Sequence, residues 1–177
     1  MNCKLVVSTL ALVLGACTSM QGPAPAANVP DKLKPSANES LALVTYAKGV
    51  QIYECRAVKD RAGAYEWALV APEADLFDAK GSKIGKHYAG PHWEAPDGSK
   101  IVGTVKERAD APRADAIPWL LLTAKSDGPS GSFSKFTAVQ RLNTVGGVAP
   151  TAGCSRSAAG ATARVPYTAD YYFLAAR

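Results

Sequence analysis

Val50-Gln51-Ile52-Tyr53-Glu54-Cys55 decides the fold class. Its side chains change character at every step, the period of two that a half-buried β-strand imposes. Upstream, Leu41 to Tyr46 has the same character, and Gly49 reads as a turn between the two segments. Downstream, Tyr65 to Val70 is a further strand, and Asp78-Ala79-Lys80-Gly81 is a turn signal between Leu76-Phe77 and Ile84 to Tyr88. Asp97-Gly98 joins His92-Trp93-Glu94 to Lys100 to Val105 as a hairpin. Ile117 to Ala124 is the most apolar stretch, with Pro118 at its entry. Phe133 to Thr144 and Tyr167 to Leu174 complete the series. Short helical turns are expected only within Lys32 to Ser40, at Glu73-Ala74-Asp75, or in the Ala-rich stretch Ser157 to Ala163. About eight short strands with no run of period 3.6 predict an all-β, mainly antiparallel domain, a sandwich or open barrel.

Composition agrees. The 177 residues are 47% hydrophobic and 20% charged, with 15 glycines and 12 prolines, as in a single turn-rich globular domain behind a leader. The net charge of +5 comes from scattered Lys and Arg without a run. Nucleic-acid readers cluster such residues on one face, so nucleic acid is not an expected partner.

The first sixteen residues read as a targeting peptide. Lys4 supplies a positive start, and Leu5 to Leu14 is an apolar run too short to cross a bilayer. The run ends in Leu14-Gly15-Ala16-Cys17, which resembles the bacterial lipobox. That resemblance implies cleavage before Cys17, lipidation of its thiol, and anchoring of the mature chain to a lipid bilayer. Thr18 follows Cys17, where an inner-membrane lipoprotein carries Asp. The expected address is therefore the outer membrane, facing the periplasm, or secretion if the lipobox is not used. Residues 17–40 read as the lipidated Cys and a Pro-rich tether, and 41–177 as one β-rich domain. Cys3 leaves with the leader. Cys55 and Cys154 remain as a disulfide or as two separate buried thiols.

Several segments together carry a family resemblance. They are Ala47 to Cys55, Ala71 to Leu76, Gly90-Pro91-His92-Trp93 with Asp97-Gly98-Ser99, Ile117 to Leu122, Gln140 to Gly147, and Val165 to Phe173. This ordered set resembles the uncharacterised secreted family catalogued as domain of unknown function thirty-four fifty-five, over nearly all of the mature domain. The resemblance implies no activity, cofactor or substrate. It implies that Cys55 and Cys154 belong to the family pattern, which favours the disulfide. His87 fits the pattern, whereas a small hydroxyl residue is expected where this chain has His92.

The residues that carry chemistry gather in Lys86 to Glu94, which holds both histidines. A small-molecule or glycan site is expected about the Gly90-Pro91 bend, drawn from His87, Tyr88, Trp93 and Asp97. Trp93 would offer an exposed aromatic platform, while Trp119 reads as core. Two alternatives use the same segment: a hydrolase in which His87 works with Glu94 or Asp97, and a metal site of His87, His92 and Glu94. Glu73, Asp75 and Asp97 are further carboxylates for glycoside chemistry. Asn143 to Gly147 beside Arg141 is a potential anion nest, against the simpler reading of a turn. No nucleophile elbow, P-loop, HExxH or dinucleotide fingerprint is present. No cofactor is expected, and the leading function is a binding or structural module of the cell envelope.

Overall fold

The computed structural model describes residue 26 and residues 28–177. The leader, Cys17 and the start of the expected tether, to residue 25, lie outside the described residues, as does residue 27.

Eight strands follow one another around a closed antiparallel barrel. They are β1 (Glu39–Ala57), β2 (Tyr65–Phe77), β3 (Lys83–Tyr88), β4 (His92–Glu94), β5 (Lys100–Ala109), β6 (Trp119–Ser126), β7 (Phe136–Gly146) and β8 (Thr162–Ala176). The ring closes where β1 pairs with β8, from Glu39 opposite Ala176 to Glu54 opposite Thr162. The domain is thus all-β with only short 3-10 turns at Asp31–Leu33 and Arg156–Ala158, and the sheet closes on itself instead of splitting into a sandwich.

Two expected boundaries dissolve. Gly49 is not a turn but lies inside β1, opposite Ala74 of β2. A Cβ there would collide with the Glu73 carbonyl and Ala74, so glycine permits the close approach of two strands. Glu73-Ala74-Asp75 is likewise strand, part of β2, and not a helical turn. The glycine-bearing turns hold: Gly81 and Gly98 both have positive φ, at 81° and 82°.

Alternation sorts the side chains into two cores. Inside the barrel lie Ala47, Leu76, Trp93, Ile101, Leu122, Val139, Tyr171 and Phe173. The second core forms on the outside of β6, β7 and β8, where Trp119, Leu121, Leu142 and Leu174 surround a fully buried Leu33. Residues 30–34 therefore strap the barrel wall. The Gln140 amide fastens them by donating to the Leu33 carbonyl at 2.6 Å. Burying Leu33 contributes about 1.5–3 kcal/mol.

The two ends of the barrel differ. Where the even strands finish, Phe133, Phe136 and Phe173 pack with ring centroids 4.9–5.5 Å apart and seal the interior. Asp97, in the β4–β5 turn, clasps the loop that carries Phe133. Its Oδ2 accepts from the Ser132 amide at 2.8 Å, and Ser99 Oγ accepts from the Phe133 amide at 3.0 Å. Where the odd strands finish, the barrel is open.

Cys55 and Cys154 are joined, with Cα atoms 5.3 Å apart. The bond ties the end of β1 to the β7–β8 loop at the open end. Trp67 adds a tie by donating from Nε1 to the Ala152 carbonyl at 2.9 Å.

Candidate functional site

The open end leads into a cavity of about 980 Å³. Eight-stranded barrels are wide enough to hold one small ligand, and this volume lies at the upper end of ordinary ligand pockets. The mouth is apolar. Leu69, Val70, Val105 and Val148 line it and are each between 41% and 55% exposed. They account for most of the large hydrophobic side chains left on the surface of the described residues.

The floor is polar. β1 contributes Gln51 and Tyr53, β3 His87, β4 Trp93, β7 Arg141 and β8 Tyr171, all lining the cavity. Alternation places each of them inward: Gln51 and Tyr53 share the inner face of β1 with Ala47, and Arg141 shares that of β7 with Val139. The Tyr53 hydroxyl donates to the Gly147 carbonyl at 2.6 Å and fixes the rim loop.

Burial holds His87 neutral. The imidazole is 2% exposed, and desolvation pulls its pKa down to about 3, against the smaller opposing effect of the His92 carbonyl. Nδ1 lies 2.8 Å from that carbonyl, which can only accept. Nδ1 therefore carries the proton, and Nε2 is left as an acceptor on a ring that lines the cavity. Burial likewise pushes the Tyr53, Tyr167 and Tyr171 hydroxyls up, with the Arg141 charge working in the opposite direction. These phenols stay protonated and can donate.

Arg141 is the charge at the floor. Its Nε and Nη2 donate to the Pro118 carbonyl at 3.1 and 2.9 Å. No ion pair joins it to a carboxylate among the described residues. Two further donors are short of acceptors: Gln51 Nε2 and Trp93 Nε1 are buried without a hydrogen-bond partner among the described residues.

Residues 35–175 match the model of a family described as Protein of unknown function (DUF3455). The chain belongs to this family. The match takes in β1 to β7, all of β8 but its last residue, and the disulfide of this DUF3455 domain, so the mouth and the floor both lie within it. No curated protein and no solved structure matches the chain.

Within the DUF3455 barrel the expected site divides in two. His87 and Trp93 come together inside, directly opposite each other in the β3–β4 register. Tyr88 and Asp97 do not line the cavity. Tyr88 pairs with His92 in the register next to His87 and faces outward, where its hydroxyl donates to Glu94 at 2.6 Å. Asp97 belongs to the clasp at the sealed end.

Trp93 is not an exposed platform: it is 1% exposed and packs in the inner core. Trp119 is core as expected, but in the layer beneath the strap.

The metal trio is taken apart by the pleat. His87 points inward, whereas His92 and Glu94 point to the outer face. There the His92 ring is engaged by the Ala89 carbonyl and Asp127 at 2.6 and 2.9 Å, and Glu94 pairs with Lys86. The hydrolase alternative needs a carboxylate beside His87. Glu94 lies across the sheet and Asp97 at the other end, and a histidine held neutral to about pH 3 is a weak base. Glu73 and Asp75 sit in separate outer pairs with Arg164 and Lys83. Asn143 to Gly147 is not a nest for an anion beside Arg141. It is a bulge at the end of β7, in which Asn143 bonds Asp170 and Thr144 bonds the Ile117 carbonyl.

Gln51, Tyr53, Arg141 and Tyr171 were not singled out as floor residues from sequence. One signal was available for two of them. Cys55 is buried, and Gln51 and Tyr53 share its parity along β1.

Proposed function

We propose that this chain is a lipid-anchored binding protein of the cell envelope that holds a small amphiphilic molecule in the open end of its barrel. One observation carries the binding role: an apolar, exposed mouth leads into a cavity of about 980 Å³ whose floor holds the Arg141 guanidinium, paired with no carboxylate among the described residues. The envelope address is supported by the leader and by Cys17 at the lipobox. A disulfide at the rim is in keeping with an oxidising compartment.

Both parts are testable in the producing cell. Radiolabelled palmitate should enter the wild type and fail to enter Cys17→Ser; an unlabelled wild type would remove the anchor. Mass spectrometry of the protein purified under native conditions should find a small molecule released on denaturation. Val148→Trp, which crowds the mouth, should lower its occupancy. An empty wild type, or equal occupancy in the variant, would remove the binding role.

A further inference from the structure

We infer that the occupant is a carboxylate-bearing amphiphile, held head-down with its carboxylate on the Arg141 guanidinium and its apolar body against Leu69, Val70, Val105 and Val148. The inference rests on the binding role proposed above and specifies its ligand.

The charge balance of the cavity sets the head group. Arg108, Arg113 and Arg141 line it against a single carboxylate, Asp110. Arg113 is already matched outside the cavity by Asp115, at 2.7 Å. Among the described residues Arg141 faces no carboxylate, only the neutral oxygens of Pro118 and of the Tyr171 hydroxyl. The Pro118 carbonyl occupies Nε and one Nη2 hydrogen, leaving Nη1 and the other Nη2 hydrogen of a five-donor fork. A guanidinium half out of water and unopposed favours an anion, and its planar fork suits a carboxylate.

The Arg141 charge sets the sign of the head. The unpartnered N–H groups of Gln51 and Trp93 are sealed from a water-sized molecule and take no part in holding the head. The Tyr171 hydroxyl, 3.4 Å from that of Tyr167, is wholly buried and lies against the Arg141 guanidinium. A cationic head would meet Arg141 in low dielectric and be repelled. A neutral alcohol could satisfy one donor but not the charge.

One positive charge suits one negative charge, which favours a carboxylate over a phosphate dianion. The exposed side chains at the mouth are aliphatic, so an alkyl or terpenoid body fits them better than a sugar.

The test compares three heads on one tail. Decanoate, decanol and decylammonium are titrated calorimetrically into the mature lipidated chain in nanodiscs, with empty nanodiscs subtracted. Decanoate should bind about tenfold or more tighter than decanol, the scale of one charge-assisted hydrogen bond, and decylammonium weaker still. Arg141→Gln should bring decanoate down to the decanol level without weakening decanol. Equal binding of decanol and decanoate by the wild type overturns the inference and leaves the cavity role standing. So does an unchanged preference in an Arg141→Gln variant of unaltered melting temperature. If no probe binds although a resident molecule is found by mass spectrometry, the ligand class is wrong; if neither is found, the binding role falls as well. The wild-type comparison decides even if Arg141→Gln does not fold.

Discussion

The His87 imidazole lies flat on the Trp93 indole inside the barrel, ring centroids 4.5 Å apart and planes inclined by 13°. Tyr171 meets both rings edge-on, at 5.1 and 5.5 Å. The stack forms one wall of the cavity, and burial there keeps His87 uncharged.

Stability should therefore fall in mild acid. The folded-state pKa of His87 is about 3, below its ordinary value of 6.5. Between those values the unfolded chain binds a proton that the folded chain refuses, so stability is lost as pH falls below about 6.5. From pH 6.5 to 5 the loss attributable to this residue should approach about 2 kcal/mol. Urea denaturation of wild type and His87→Gln at both pH values checks it. An equal slope in the two proteins would count against a neutral buried His87.

The clasp at the sealed end should respond to acid and to mutation through Asp97. Hydrogen bonds from Ser99 and from the Ser132 amide hold its carboxyl well below the usual carboxylate range. A depressed carboxylate contributes stability above its unfolded pKa and loses it as pH falls toward the folded one. Asp97→Ala should speed amide exchange at Ser132 and Phe133 while β1 and β8 stay protected. Hydrogen exchange read by NMR is the measurement, and unchanged exchange at Phe133 would contradict the clasp.

Cys154→Ser should loosen the rim. The bond closes a loop of 99 residues, for which chain entropy gives up to about 4.7 kcal/mol. The expected result is a lower denaturation midpoint, with added mobility from Gly147 to Ala161. A midpoint unchanged by the substitution would show that the loop is held by Tyr53 and Trp67 alone.

Gly103→Ala should destabilise by about 1–3 kcal/mol through overpacking. A Cβ at this inward position of β5 would stand 2.7 Å from Trp93 Cζ3 and 3.1 Å from Leu122 Cδ2. Thermal melting checks this, together with near-ultraviolet dichroism of the indole. An unshifted melting temperature would mean that Trp93 has room to move.

The strands were legible because alternation and turn glycines are local properties. The strand expected at Ile84 to Tyr88, found as Lys83–Tyr88, the Asp97-Gly98 hairpin and the entry of β6 after Pro118 all stand close to where the sequence places them. Gly49 misled because a glycine that lets two strands approach looks, in one dimension, like a glycine that turns the chain. Alternation also does not say which face is the inside. Val50 and Ile52 face outward while Gln51 faces in, the reverse of what polarity alone suggests. Arg141 was visible only as a neighbour of the Gly-rich turn. Its lack of an ion pair among the described residues is a fact about space. His87 and Trp93 could be linked to one segment, but burial of the indole depends on the cavity side of a sheet that first has to close.

Each sheet contact but one joins consecutive strands; the exception is β1 with β8. During folding, hairpins can form one after another, yet the ring waits for partners more than a hundred residues apart, as Glu39 is from Ala176. Until they meet, both outer edges of the sheet are bare and can capture a second chain. The Cys55–Cys154 bond joins the end of β1 to the loop feeding β8, so a chain oxidised early has a shorter search for closure. Refolding from urea should then be slower and richer in dimers under reducing conditions, a difference that stopped-flow fluorescence and size-exclusion chromatography would register.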